Sequence, residues 1–191
     1  MITTSQFIGY FNIAQDPQTE SKLESYITRY EKKYLIDLLG FDLYELFVAD
    51  LDVNGVPQTE RFVNIYNALN YDENVEPFFY PVGFRKSKCD DNRVESEPTY
   101  SEGMVNMLLG FIFFEFVKEY DLIVSQTGVT VNVNENSENS PGATHTHLSE
   151  TRYNSSIASY KVIQRYIREN ESVYPEFKGT SKETTYWGGA F

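Results

Sequence analysis

Two histidines, one cysteine and a scatter of carboxylates are the residues of this chain whose types could do chemistry. His145 and His147 are the only histidines and stand two residues apart. On a strand, that spacing would turn both rings to one side, as a metal site requires. Such a site also needs a third and a fourth ligand with supporting groups around them. Cys89, the single cysteine, lies far upstream and shows no ligand spacing. The pair therefore reads as part of a solvated polar loop, and no metal or other cofactor is expected. A lone cysteine also rules out an intrachain disulfide. No serine sits in a G-x-S-x-G elbow, and neither a Walker A loop nor a G-x-G-x-x-G loop occurs. Glu95 with Glu97 and Asp90 with Asp91 are paired carboxylates. In a chain with 28 acidic residues, such pairs arise as solvated charge runs. Asn154-Ser-Ser has the spacing of a glycosylation acceptor but falls inside an expected helix. Nothing here gives a reason to propose catalysis, and the chain reads as a protein-binding one.

The charge balance narrows the partners. Sixteen basic against 28 acidic residues leave a net charge of -12. A protein that grips DNA through its phosphates needs a basic patch. The densest basic spots are Lys32-Lys33 and Arg85-Lys86-Ser87-Lys88, both with acids close by, and no Lys or Arg occurs from Glu119 to Glu150. Stable nucleic-acid binding is not expected, although an acidic wall would let DNA slide past without sticking. The 15 Tyr and 14 Phe are those of a folded chain, and tyrosines suit half-buried and interface positions. A length of 191 residues suits one domain. The opening Met1-Ile-Thr-Thr-Ser-Gln has no basic stretch followed by an apolar one, so no signal peptide is expected. The longest uncharged apolar run, Gly103 to Phe114, is shorter than the roughly 20 residues that cross a bilayer. It predicts a buried helix and no membrane partner.

The elements that would position these residues are mostly helical. The fold class is mainly α: a helical bundle with a short β arm or hairpin and extended loops. Ser5 to Ile13 reads as helical or extended, and Asp16-Pro17 as a turn or helix start. Leu23, Ile27, Tyr30, Tyr34 and Leu38 recur at helical spacing and predict a helix over 19–39, ended by Gly40. A second helix follows, capped by Asp42, with Leu43, Leu46, Phe47 and Leu51 as its apolar stripe. After an Asn54-Gly55 turn, Thr59 caps a third helix with Phe62, Ile65, Tyr66 and Leu69 on one side. Residues 70–98 read as a loop excursion packed down by Phe78-Phe79-Tyr80. Ser101 caps a central helix over 102–123 that is apolar nearly all round, buried within its own subunit or partly by a neighbour. Val129, Val131 and Val133 alternate with Thr130 and Asn132, which is the best strand signal in the chain. No second convincing strand lies nearby, so residues 128–147 are expected to be a β arm and polar loop that pairs with a neighbour; a local hairpin returning through the polar loop up to Thr146 is the alternative. A last helix is expected over 149–172, with Tyr153, Ile157, Tyr160, Gln164 and Ile167 on one face. Residues 1–178 thus form one helical domain, followed by a tail over 179–191. The tail's glycines predict mobility in the free subunit, while Tyr186, Trp187 and Phe191 are apolar anchors for docking on a partner.

The run from Arg29 to Phe47 joins a helix, a Leu38-Leu39-Gly40 stop and a Phe41-Asp-Leu-Tyr restart. It resembles the N-terminal helical hairpin of tailed-phage head–tail connector (adaptor or neck-ring) proteins, including those of phages infecting Bacteroides. The later order is similar too: a buried central helix, Thr127-Gly-Val-Thr-Val-Asn, a polar loop, and a Tyr-rich helix ending in Tyr174-Pro-Glu-Phe. The likeness covers most of residues 20–178 but not the excursion over 70–98. It implies a structural virion protein: a subunit of a ring, commonly of about twelve copies, that joins portal and capsid to the tail. The implied partners are further copies of the chain, the portal protein, and tail or neck proteins. DNA would pass through the channel without specific binding. The implied location is the virion neck, and the host cytoplasm during assembly. A cytosolic helical protein-binding or assembly module without catalytic activity is the alternative.

Overall fold

A computed structural model describes residues 1–70, 84–88, 94–98, 100–120, 122–125, 128–131 and 142–179 of the chain. Within these residues the protein is mainly helical. Two 3-10 turns, Thr4–Gln6 and Gly9–Phe11, precede α1 (Pro17–Leu39). Asp16 starts α1 by accepting the N–H groups of Gln18 and Thr19 at 3.1 and 3.0 Å, with Pro17 at the first helical position. All five residues of the expected face, from Leu23 to Leu38, are buried. Gly40, at φ 72°, ends α1 and opens α2 (Phe41–Asp50). Asp42 therefore sits in the first turn of α2 and not at its cap. Its carboxylate pairs instead with Lys178 at 2.6 Å. A tight turn then leads to α3 (Glu60–Tyr66).

The central helix is α4 (Met104–Tyr120). Its neighbours are α5 (Gly142–Glu169), α1 and α3, and together they bury Met104, Met107, Leu108, Phe111, Ile112 and Phe116. The sequence left open whether a neighbouring subunit supplies part of this burial; this one chain is sufficient. Two glycines set how closely the helices meet. A Cβ on Gly103 (φ +99°) would lie 2.7 Å from the carbonyl oxygen of Tyr66, so only glycine lets α4 start against the end of α3. A Cβ on Gly110 would lie 2.0 Å from Ser156 Oγ and 3.1 Å from the carbonyl oxygen of Arg152, where α4 crosses α5. Among the described residues no helix is long and apolar enough to cross a membrane.

Among the described residues, three antiparallel strand pairs accompany the helices: β1 (Leu69–Asn70) with β4 (Tyr100–Ser101), β2 (Phe84–Lys88) with β3 (Val94–Pro98), and β5 (Leu122–Ser125) with β6 (Gly128–Val131). The described elements correct the expectations in four places. The excursion over 70–98 is expected to be a loop, yet within it residues 84–88 and 94–98 pair as β2 and β3, and β1 pairs with β4 across its ends. The central helix ends at Tyr120 and not at Ile123, because Leu122-Ile123-Val124 turns into a strand. That strand is the local partner the sequence did not reveal. Val129 pairs with Val124, and Val131 with Leu122. The expected absence of a nearby strand, which motivated an arm pairing with a neighbour, does not hold. The strand that pairs with β6, namely β5, comes from upstream, and the polar loop over 132–141 lies outside the described residues. Finally, α5 begins at Gly142, a few residues before the expected Ser149.

Candidate functional site

The described residues with the most concentrated polar chemistry line the contact of α1 with α4. Tyr26, Tyr30 and Tyr34 recur every four residues on α1, so their rings climb one face. Successive rings stack with centroids 5.8 and 6.3 Å apart, and Tyr34 lies on Phe111 at 4.2 Å. Their hydroxyls donate to two carboxylates on α4. Tyr26 reaches Glu119 at 2.7 Å, Tyr30 the same residue at 3.4 Å, and Tyr34 reaches Glu115 at 2.7 Å. Lys33 completes the row, 3.5 Å from Glu115 and 4.6 Å above the Tyr34 ring. Burial and the adjoining carboxylate push the Tyr26 phenol up to about 12 and the Tyr34 phenol further still. Both stay protonated at neutral pH, where each can donate a hydrogen bond and neither can act as a base. The ladder fastens α1 to α4.

A second polar group sits where α5 meets the end of α1. The last carbonyls of a helix lack partners within it. Here the carbonyl of Asp37 accepts from the Tyr160 hydroxyl at 2.7 Å, and that of Leu38 from Gln164 Nε2 at 3.4 Å. Gln164 Nε2 also donates to Tyr160 at 2.8 Å. The one polar member of α5's apolar face is therefore a C-terminal cap for another helix.

The turn between α2 and α3 has the spacing of a calcium loop in its first half, Asp50-x-Asp52-x-Asn54-Gly55. Its twelfth position, where such loops carry a bidentate glutamate, is Arg61. The carboxylates also face other donors. Asp52 Oδ1 accepts the N–H groups of Asn54 and Val56, both at 2.8 Å. Asp50 Oδ2 accepts those of Gln58 and Thr59 at 2.8 and 2.9 Å. The N–H groups, that of Val56 foremost, hold Asp52 below the usual carboxylate range. For Asp50, partial burial acts the other way and is outweighed by the same kind of bond. These aspartates build the turn and the start of α3, a task the sequence assigned to Thr59. Among the described residues, no three His, Cys, Asp or Glu side chains converge on one point.

This corner also presents apolar side chains outward. Leu43 and Phe47 of the expected α2 stripe are fully buried, but Leu46 is not. Phe41 and Val48, two turns apart and hence on one face of α2, are exposed. Val56 is exposed in the turn, and Val53 stands wholly in solvent at 101%. From Phe41 to Glu60 the only charged residues are Asp42, Glu45, Asp50, Asp52 and Glu60, all acidic. Five large apolar side chains thus stand outside in a segment whose own charges are all acidic, with Lys178 paired to Asp42 beside them.

Of the residues expected to bind partners, Val129 and Val131 lie in β6, hydrogen-bonded to β5. Val133, Tyr186, Trp187 and Phe191 lie outside the described residues, as do Cys89 and Phe78-Phe79-Tyr80. His145 and His147 belong to α5, so the strand geometry that would turn both to one side is not present. The apolar corner was missed as a surface because helical spacing marks Leu46 as core. The signal available was Val53 beside Asn54-Gly55, an aliphatic residue in a turn with nothing to pack against. Comparison of the chain with protein-family models, curated proteins and solved structures found no match.

Proposed function

We propose that this chain is a structural subunit that works by binding other protein subunits, and that its place is the ring joining portal and tail in a tailed-phage virion. The observation that carries the association is the corner over residues 41–60. Burying a large apolar side chain gains roughly 1.5–3 kcal/mol, and a helix that buries Leu43 and Phe47 completely would not be expected to leave Phe41, Leu46 and Val48 outside without use. Exposed apolar side chains are groups that a partner gains by covering. The helical hairpin of α1 and α2, which carries this corner, is also the part that resembles the connector proteins. The net charge of -12 supports a channel that DNA traverses without adhering. The second reading, a cytosolic binding module, shares the corner and differs in location.

Immunogold labelling of phage particles from cells that make the chain separates the two. Label at the junction of head and tail is the expected result. Particles without label, with the chain recovered entirely from the particle-free fraction, would remove the connector reading and leave the module.

A further inference from the structure

We propose that residues 180–191 of this chain act as a strap over its own α2, covering the face of Phe41 and Val48 until a partner subunit displaces them. The inference rests on the reading of the corner over 41–60 as a binding surface, and it names what regulates that surface. Beyond α5 the chain is fastened step by step toward the corner. The Tyr174 hydroxyl donates to the carbonyl of Arg61 in α3. Glu176 pairs with the Arg61 guanidinium at 3.3 Å, and Phe177 packs against the helical core. Lys178 then meets Asp42, in the first turn of α2, at 2.6 Å. The carbonyl oxygen of Gly179 lies 3.4 Å from where a Cβ on Gly40 would stand. The described chain thus ends against the start of α2.

Residues 180–191 set out from that point. Phe41 is 59% exposed and Val48 43% exposed. Seven residues apart on one helix, they are about 10 Å from each other along its axis. The seven residues from Gly179 to Tyr186 can span up to about 23 Å, so Tyr186 and Trp187 reach both positions with slack. The segment carries Tyr186, Trp187 and Phe191, three large rings of the kind an exposed apolar face gains by covering. The chain's own segment is the occupant because the last described residues deliver it to this face and to no other. A segment tethered beside its site competes as though present at about millimolar concentration. It therefore covers the face ahead of a more dilute partner, which must release it to bind.

Trp187 is the single tryptophan of the chain, so its fluorescence reads the strap directly. The full chain is measured at a concentration where sedimentation velocity shows a monomer, with circular dichroism to establish that each variant is folded. Trp187 emission should be blue-shifted and shielded from acrylamide. Phe41→Ser with Val48→Ser, both at exposed positions, should shift the emission to the red and raise quenching several-fold. Deleting residues 180–191 uncovers the face, and the shortened chain should self-associate at a concentration at least about tenfold lower than the parent. A solvent-exposed Trp187 in the folded monomer overturns the proposal. So does shielding that the Phe41 and Val48 changes leave untouched, or that arises only as copies associate. A shortened chain that associates no better than the parent overturns the strap as a regulator. The connector reading stands or falls separately, on the particle labelling.

Discussion

The contact of α1, α4 and α5 and the corner over residues 41–60 use the same residue types to opposite ends. In the first, aromatic rings are covered and each polar group named has a partner: Tyr34 with Glu115, Tyr160 with Asp37, Gln164 with Leu38. In the second, the polar groups are equally well used, since Asp50 and Asp52 hold backbone N–H groups, but the apolar ones are left outside. Buried polar groups must be satisfied in either place, because an unpaired one costs about 1–3 kcal/mol. Apolar groups carry no such obligation. Where they are covered they specify the fold, and where they are exposed they are free to specify a partner. Substitutions should then separate the regions, with large losses of stability in the core and little at the exposed apolar residues of the corner.

The largest loss is expected at Phe111. It is fully buried, stacks on Tyr34 and meets Tyr153 and Tyr160 edge-on. Phe111→Ala removes a ring from three aromatic contacts and leaves a cavity that α4 cannot close. A cost of about 3–5 kcal/mol follows, read as a shift of the urea midpoint with unchanged slope. A loss below about 1 kcal/mol would mean that the centre is loosely packed, and the contrast with the corner would fail.

The tyrosine ladder should give a smaller, pH-dependent effect. Tyr34→Phe removes a donor to a carboxylate and should cost about 1.5–3 kcal/mol near neutral pH. Alkali should act on the neighbouring phenol. The Tyr26 pKa is raised from 10.0 to about 12 in the fold. A raised phenol binds its proton more tightly when folded, so its contribution is fully present below about pH 10 and is lost as pH rises through about 12. Urea midpoints measured from pH 9 to 12 should fall for the parent and fall less for Tyr26→Phe. Equal slopes would place the alkaline sensitivity elsewhere.

How much of this was legible depends on what each element packs against. The faces of α1 and α5 were readable because one side is covered and the other is wet, so Leu23 to Leu38 and Tyr153 to Ile167 keep helical spacing. Gln164 lies on that face for a reason periodicity cannot carry, namely the open carbonyls of a helix remote in sequence. The end of α4 was not readable. Leu122-Ile123-Val124 continues its apolar run, and apolar runs do not distinguish a buried helix from a strand. The two-residue link to Gly128, Gln126-Thr127, also lacks the Asn-Gly signal of a hairpin. The strands β2 and β3 escaped for the opposite reason, since Arg85 to Lys88 has no apolar alternation at all. At the corner, sequence spacing marked Leu46 for burial. Spacing says which residues could be covered, but only the fold says whether anything lies over them.

The smallest stability effect, and the most informative for function, is expected at Val53. It has no covered surface to lose, being 101% exposed. The turn around it is held by Asp52, Asn54 and Val56 through groups that Val53 does not supply. Val53→Ser should therefore change stability by less than about 0.5 kcal/mol. If the corner binds a second copy, the same change removes an apolar contact from the interface and should weaken self-association several-fold. A stability loss above about 1 kcal/mol would show that Val53 is covered within its own chain. Unchanged stability with unchanged association would show that its exposure serves no contact. Only the split outcome, a folded chain that associates less well, sustains the difference between a region that builds the subunit and one that joins it to the next.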